Sequence, residues 1–167
     1  LQAAEVNSTT IKNRINQLTQ RLINNQRPDG SWFYRGYTQG FTALALYSLK
    51  SAGMKNDHPV MIKGLAYVQK NLNFYVSIGK SGSYDRYYTP AFIIGLFAKV
   101  DPVKYKPVME RMVTNLIRRQ NKDGGWSYYK NGSDLSSCQF VILALDTARK
   151  CGVVISDSVI KNALNFW

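Results

Sequence analysis

One seven-residue phrase is written twice in this chain: QRPDGSW at Gln26 to Trp32 and QNKDGGW at Gln120 to Trp126, 94 residues further on, with Gln, Asp, Gly and Trp in the same slots. An internal repeat constrains the architecture more than any bulk property, because each copy must close the same local structure. Gly30 and Gly124 are placed for a positive-φ turn, and Asp29 and Asp123 for accepting nearby backbone N–H groups. Gln26 and Gln120 are expected to close the preceding helix by satisfying groups at its end. Trp32 and Trp126 are expected to pack over the turn and donate the indole N–H to a carbonyl.

The similarity extends beyond the phrase. ALALYSLKSAG at Ala43 to Gly53 aligns with ILALDTARKCG at Ile142 to Gly152, and each is followed by a short polar break and another amphipathic run. A weaker third copy lies between them, with KSGSY at Lys80 to Tyr84 and IIGLFAK at Ile93 to Lys99. Gly30, Gly82 and Gly124 are 52 and 42 residues apart, the size of a helical hairpin.

Before each phrase the apolar residues form one stripe at helical spacing: Ile11, Ile15, Leu18 and Leu22 in the first hairpin, and Met109, Met112, Val113, Leu116 and Ile117 in the last. Ile62, Leu65, Val68 and Leu72 hold the corresponding place in the middle. The runs after the phrases, FTALALYSL, FIIGLFA and FVILAL, are apolar nearly all round, which marks helices buried on two sides. Asp57, Asp101, and Ser156 or Asp157 are candidate N-caps, with Pro59 and Pro102 in the first turns. Gly53 and Gly152 are candidate left-handed helix stops. The fold expected is all-α, about seven helices alternating outer and inner. Residues 1–8 form a flexible lead, and 9–167 form one domain with repeats near 9–53, 58–100 and 105–152 and a half repeat over 157–167. The last helix has no inner partner after it, so a further part of the array or a second copy is expected to cover its apolar side.

A 45% hydrophobic and 19% charged composition supports a buried core and argues against a disordered chain. No apolar run approaches the ~20 residues of a spanning helix. LQAAEVNSTT hints at the surroundings of a signal cleavage site, which leaves export to a periplasm and a cytoplasmic location equally open. Cys138 and Cys151 fall on one predicted helix with α-carbons ~20 Å apart, too far for a disulfide, so two free and mostly buried thiols are expected. The net charge of +12 raises nucleic acid and anionic membrane as partners. The basic residues are spread at helical intervals rather than in blocks, which favours a solvated surface, with peripheral membrane contact retained ahead of nucleic acid.

Q-x-x-D-G-x-W at the outer-to-inner turn of hairpins of this length resembles the QW repeat of terpenoid cyclases, shared more loosely with the protein prenyltransferase β subunit. QNKDGGWSYYKNGSDLSSCQFVILALDTARKCGV is most similar to the bacterial prenyltransferase and squalene oxidase repeat proteins. The resemblance runs from about Thr9 to Trp167 and implies an α/α toroid, of which this chain would form a part or half. It also implies an apolar or isoprenoid ligand.

The family's chemistry is harder to place. The D-x-D-D motif of squalene-hopene-type cyclases corresponds here to DLSS: Asp134 matches the first acid, while Ser136 and Ser137 stand where the next two would be, and a hydroxyl cannot protonate an alkene. Asp134 otherwise reads as an N-cap. The prenyltransferase zinc set of Asp, Cys and His is not matched, since Asp134 and Cys138 have the wrong spacing and the sole histidine, His58, precedes an outer helix. Cys138 reads as a small core residue. No G-x-S-x-G elbow or phosphate-binding loop is present. No catalytic residue, metal or cofactor is assigned.

Seven of the eleven tyrosines, Tyr34, Tyr37, Tyr84, Tyr87, Tyr88, Tyr128 and Tyr129, follow the repeated phrases at one end of the array, with Arg35, Arg86 and Lys130 beside them. With Asp134 they are the candidate ligand-contacting set, suited to an isoprenoid, a cation or a sugar. The expected function is a non-catalytic binding or scaffold domain. The alternative is a fragment of an isoprenoid-processing enzyme whose acids lie elsewhere.

Overall fold

A computed structural model describes residues 8–33, 38–73, 87–127 and 132–166. Among these the chain is all-helical, with seven helices: α1 (Ser8–Asn24), α2 (Thr38–Ser51), α3 (Pro59–Lys70), α4 (Tyr88–Val100), α5 (Pro102–Ile117), α6 (Leu135–Lys150) and α7 (Asp157–Phe166). The inner helices α2, α4 and α6 form a row in which α4 packs against both neighbours. The outer helices flank that row: α1 and α3 on α2, α5 across α4 and α6, and α7 on α6.

Local signals set the helix ends. Asp101 caps α5 by accepting from the N–H of Lys104 at 2.9 Å, and Asp134 caps α6 by accepting from Ser137 at 2.8 Å. Asp57 does not take the cap expected of it. His58 does, its Nδ1 accepting from the N–H of Val60 at 3.2 Å, because it stands immediately before Pro59. Gly53 and Gly152, at φ of 94° and 82°, end α2 and α6 alike. In each case the following N–H reaches five residues back, from Met54 to Leu49 O at 3.0 Å and from Val153 to Ala148 O at 3.1 Å.

The outer helices differ sharply in how much they bury: none in α1, five residues in α3 and in α5, and two in α7. Helix α5 sits across two inner helices and buries Tyr105, Met109, Met112, Val113 and Leu116. The Tyr105 ring stacks on Phe97 of α4 with centroids 3.9 Å apart, and its hydroxyl meets the Gln69 amide of α3. Helix α1 touches α2 and buries no residue: Leu22 is half-buried, while Ile11, Ile15 and Leu18 are 48%, 43% and 51% exposed. The apolar stripe on α1 is therefore real as a pattern and only its last member is used by the core. In α3 Leu65 and Val68 are buried as their spacing predicts, but fully buried Met61 takes the place expected of Ile62, which is 55% exposed. At 100° per residue Met61, Leu65 and Val68 fall within an arc of about 60°, and Ile62 lies about 60° outside it. On α7, Val159 and Ala163 are buried on the array and Leu164 is exposed, so part of the expected open side is already covered.

Candidate functional site

The two complete clasps repeat at the level of single hydrogen bonds. Gln26 Nε2 donates to Gly30 O at 3.0 Å and to Val60 O at 2.9 Å; Gln120 Nε2 donates to Gly124 O at 2.8 Å and to Val159 O at 2.9 Å. Each glutamine thus spans from its own turn to the first turn of the next outer helix, rather than closing the helix it ends. The glycines make the same crossing. A Cβ on Gly30 (φ 88°) would lie 2.3 Å from Lys63 O, and one on Gly124 (φ 92°) would lie 1.9 Å from Asn162 O. Both carbonyls lie three residues beyond those bonded by the glutamines, so only glycine fits, on grounds of both φ and space.

The indoles fasten the clasp backwards. Trp32 Nε1 donates to Leu22 O and Trp126 Nε1 to Leu116 O, each at 2.8 Å and each ten residues upstream. The tryptophan backbone N–H is anchored on the inner helix: Trp32 N donates to Thr42 Oγ1 at 3.0 Å, and Trp126 N to Cys138 Sγ at 3.1 Å. Burial pushes the Cys138 thiol up, so it is a protonated anchor at neutral pH rather than a thiolate nucleophile or ligand. Both thiols are free.

Asp29 accepts from the Ser31 hydroxyl at 2.7 Å and the Ser31 N–H at 3.0 Å, and these bonds hold its carboxyl below the ordinary 3.8. In the second clasp Gly125 replaces Ser31, and Ser133, arriving from the start of α6, donates to Asp123 through its hydroxyl at 2.6 Å and its N–H at 3.0 Å. The Ser133 hydroxyl is the main cause of the lowered Asp123 carboxyl. A Cβ on Gly125 would sit 2.4 Å from Ser133 Cβ, so the glycine makes room for the substitute donor.

The inner row has a third side, away from its outer helices, and this side carries a groove of about 310 Å³. Leu44 and Tyr47 of α2, Ala91, Phe92 and Gly95 of α4, and Phe140, Leu143, Ala144 and Thr147 of α6 line it. At its upper end Phe140 meets Phe92 and Tyr88 edge-on, with centroids 5.4 Å and 4.7 Å apart. Lys99 lies 5.2 Å from the centroid of Tyr47.

Two of the predicted site residues meet beside this groove. The Tyr88 hydroxyl donates to Ser136 Oγ at 2.8 Å, and Ser136 Oγ donates to Asp134 Oδ1 at 2.7 Å, joining the N-termini of α4 and α6. Burial raises the Asp134 carboxyl, but the Ser137 N–H and Ser136 hydroxyl outweigh it and hold the group below 3.8, so it is ionised at neutral pH and has no proton to give. Tyr87 goes elsewhere: it is 4% exposed and belongs to the core, which leaves its ring no open face. Tyr34, Tyr37, Tyr84, Tyr128, Tyr129, Arg35, Arg86 and Lys130 lie outside the described residues, as does the third copy of the phrase. The groove lining from Leu44 to Thr147 was not among the candidates. Its signal was the all-round apolar character of the inner runs, which leaves a third side to account for once two are packed.

Among the described residues no three His, Cys, Asp or Glu side chains converge as metal ligands, and no helix is long and apolar enough to cross a membrane. Compared with protein-family models, curated proteins and solved structures, the chain finds no match in any of the three.

Proposed function

We propose that the chain is a non-catalytic binding or scaffold domain of the squalene-cyclase and prenyltransferase-like repeat type, part or half of an α/α toroid, with the groove on its inner helices as the ligand surface. The observation that carries this reading is the lining of the groove: of nine residues from three helices, only Tyr47 and Thr147 bring polar side-chain atoms. A recess of this volume, apolar along its middle with polar groups towards both ends, suits an elongated hydrocarbon of isoprenoid type. Tyr88, Ser136 and Asp134 at the upper end would orient a hydroxyl-bearing head group. The ionised, hydrogen-bonded state of Asp134 favours binding over proton-donor chemistry.

The test is displacement of a fluorescent apolar probe by a long-chain isoprenoid alcohol, measured for the unmodified protein and for Leu143→Arg. Leu143 is 56% exposed, so the substitution sets a charge in the groove without emptying the core. Competition that weakens at least about tenfold in the variant, in line with a lost apolar contact and a newly buried charge, supports the groove as the ligand surface. Equal competition in both proteins, or no probe binding by either, overturns it. Turnover of the alcohol would favour the alternative, an enzyme fragment.

A further inference from the structure

Most of α1 is an amphipathic helix that the core does not use. At 100° per residue, Ile11, Ile15, Leu18 and Leu22 fall within an arc of about 60°, and the first three are close to half exposed. Lys12 lies on one side of this stripe and Arg14 and Arg21 on the other, each about 70–90° from its centre by the same geometry. Asn13, Gln17, Gln20 and Asn24 occupy the opposite pole. The helix contains three cations and no carboxylate. Its C-terminal turn is tied to the fold, where Leu22 O accepts the Trp32 indole and Leu22 and Ile23 pack against the core.

We propose that α1 is the element by which this protein docks on the surface of an anionic lipid bilayer, with Ile11, Ile15 and Leu18 entering the boundary between head groups and acyl chains. An apolar stripe flanked by long cationic side chains matches that boundary in order and in depth, because the stems cover apolar surface while the charged ends reach lipid phosphates. The net charge of +12 steers the whole molecule toward such a surface. Charge argues against the other ways of covering the stripe. A second copy of α1 would bring two basic helices together with no carboxylate between them. A nucleic-acid backbone would engage the cations and leave the aliphatic centre of the face facing phosphate.

The experiment is flotation with vesicles of phosphatidylcholine, and with vesicles in which roughly one lipid in four is phosphatidylserine. The protein is expected to bind the anionic vesicles at least about tenfold more strongly. Ile15→Asp with Leu18→Asp should remove at least about tenfold of that binding. Lys12→Gln with Arg14→Gln, which leaves the stripe intact, should remove about tenfold. Lys63→Gln with Arg111→Gln makes the same change in net charge on other helices and should cost less than about threefold. The far-ultraviolet dichroism of each variant checks folding. Equal binding to both vesicle types overturns the proposal, as do equal losses from the two charge pairs, release from vesicles by a short DNA duplex, or light scattering that shows an α1-dependent dimer.

Discussion

Thr42 and Cys138 hold one structural place with different chemistry. Both sit fully buried near the start of an inner helix and offer a side-chain acceptor to the backbone N–H of the clasp tryptophan. That N–H has no ladder or solvent partner, and a buried donor left alone costs about 1–3 kcal/mol. Thr42→Val keeps the shape and removes the acceptor, and Cys138→Ala does the same with a small cavity. Each is expected to lower the unfolding free energy in urea by about 1–3 kcal/mol, whereas Cys138→Ser should stay within about 1 kcal/mol. A Thr42→Val change below about 0.5 kcal/mol would mean that the anchor is incidental. At this scale the sequence was informative about Gly30, Gly124, Trp32 and Trp126, whose type fixes their task. It was less so for Gln26 and Gln120, since an amide with a long reach does not announce which of several carbonyls it will find. Cys138 read correctly as a core residue, but its pairing with Trp126 required knowing that Thr42 does the same work in the other copy.

Helices were legible where burial decided their pattern and less so where position in the array decided it. Helix α5, seated across α4 and α6, shows the apolar stripe that its spacing predicts, residue for residue except for half-buried Ile117. Helix α1 carries an equally regular stripe and buries none of it, although α3, which packs on the same inner helix α2, buries five residues. A sequence pattern records what a helix face is suited to contact, and only the neighbours settle whether contact occurs. Helix α3 is the intermediate case: Leu65 and Val68 of its stripe are buried as predicted, but Met61 replaces Ile62, because Val60, Met61, Gly64, Leu65 and Val68 face the array while Ile62 turns outward. Gly64 reports the same orientation, since a Cβ there would lie 2.5 Å from Leu46 Cδ2 of α2. Met61→Ala should therefore cost about 2–5 kcal/mol by the usual loss for an emptied core site. Ile62→Ala should stay within about 0.5 kcal/mol. Urea denaturation of the two variants decides the register, and the reverse ranking would place the stripe where its simple periodicity first suggests.

Across the whole molecule the clasps turn a set of hairpins into a chain of nearest neighbours. Gln120 ties the end of α5 to the first turn of α7 through Val159 O, and Gly124 rests on Asn162 O of the same helix; Gln26 and Gly30 make the equivalent tie from α1 to α3. In such an array each unit is stabilised by its own packing and by one interface on either side, so a defect in one clasp should loosen the junction it serves and leave distant units alone. Helix α7 is the sharpest place to see this, because α6 is its main helix neighbour and the clasp supplies much of the rest. Gln120→Ala removes two hydrogen bonds worth about 0.5–1.5 kcal/mol each, which is local stability rather than global stability where the affected helix can open by itself. Amide hydrogen exchange in α7 is then expected to accelerate by about tenfold, while protection in α2 and α4 is unchanged. Gln26→Ala should show the mirror effect, with faster exchange in α1 and the start of α3 and none in α7. Acceleration spread evenly over all helices would mean that the molecule opens only as one unit, and the clasp would then be a feature of the turn instead of the joint between hairpins.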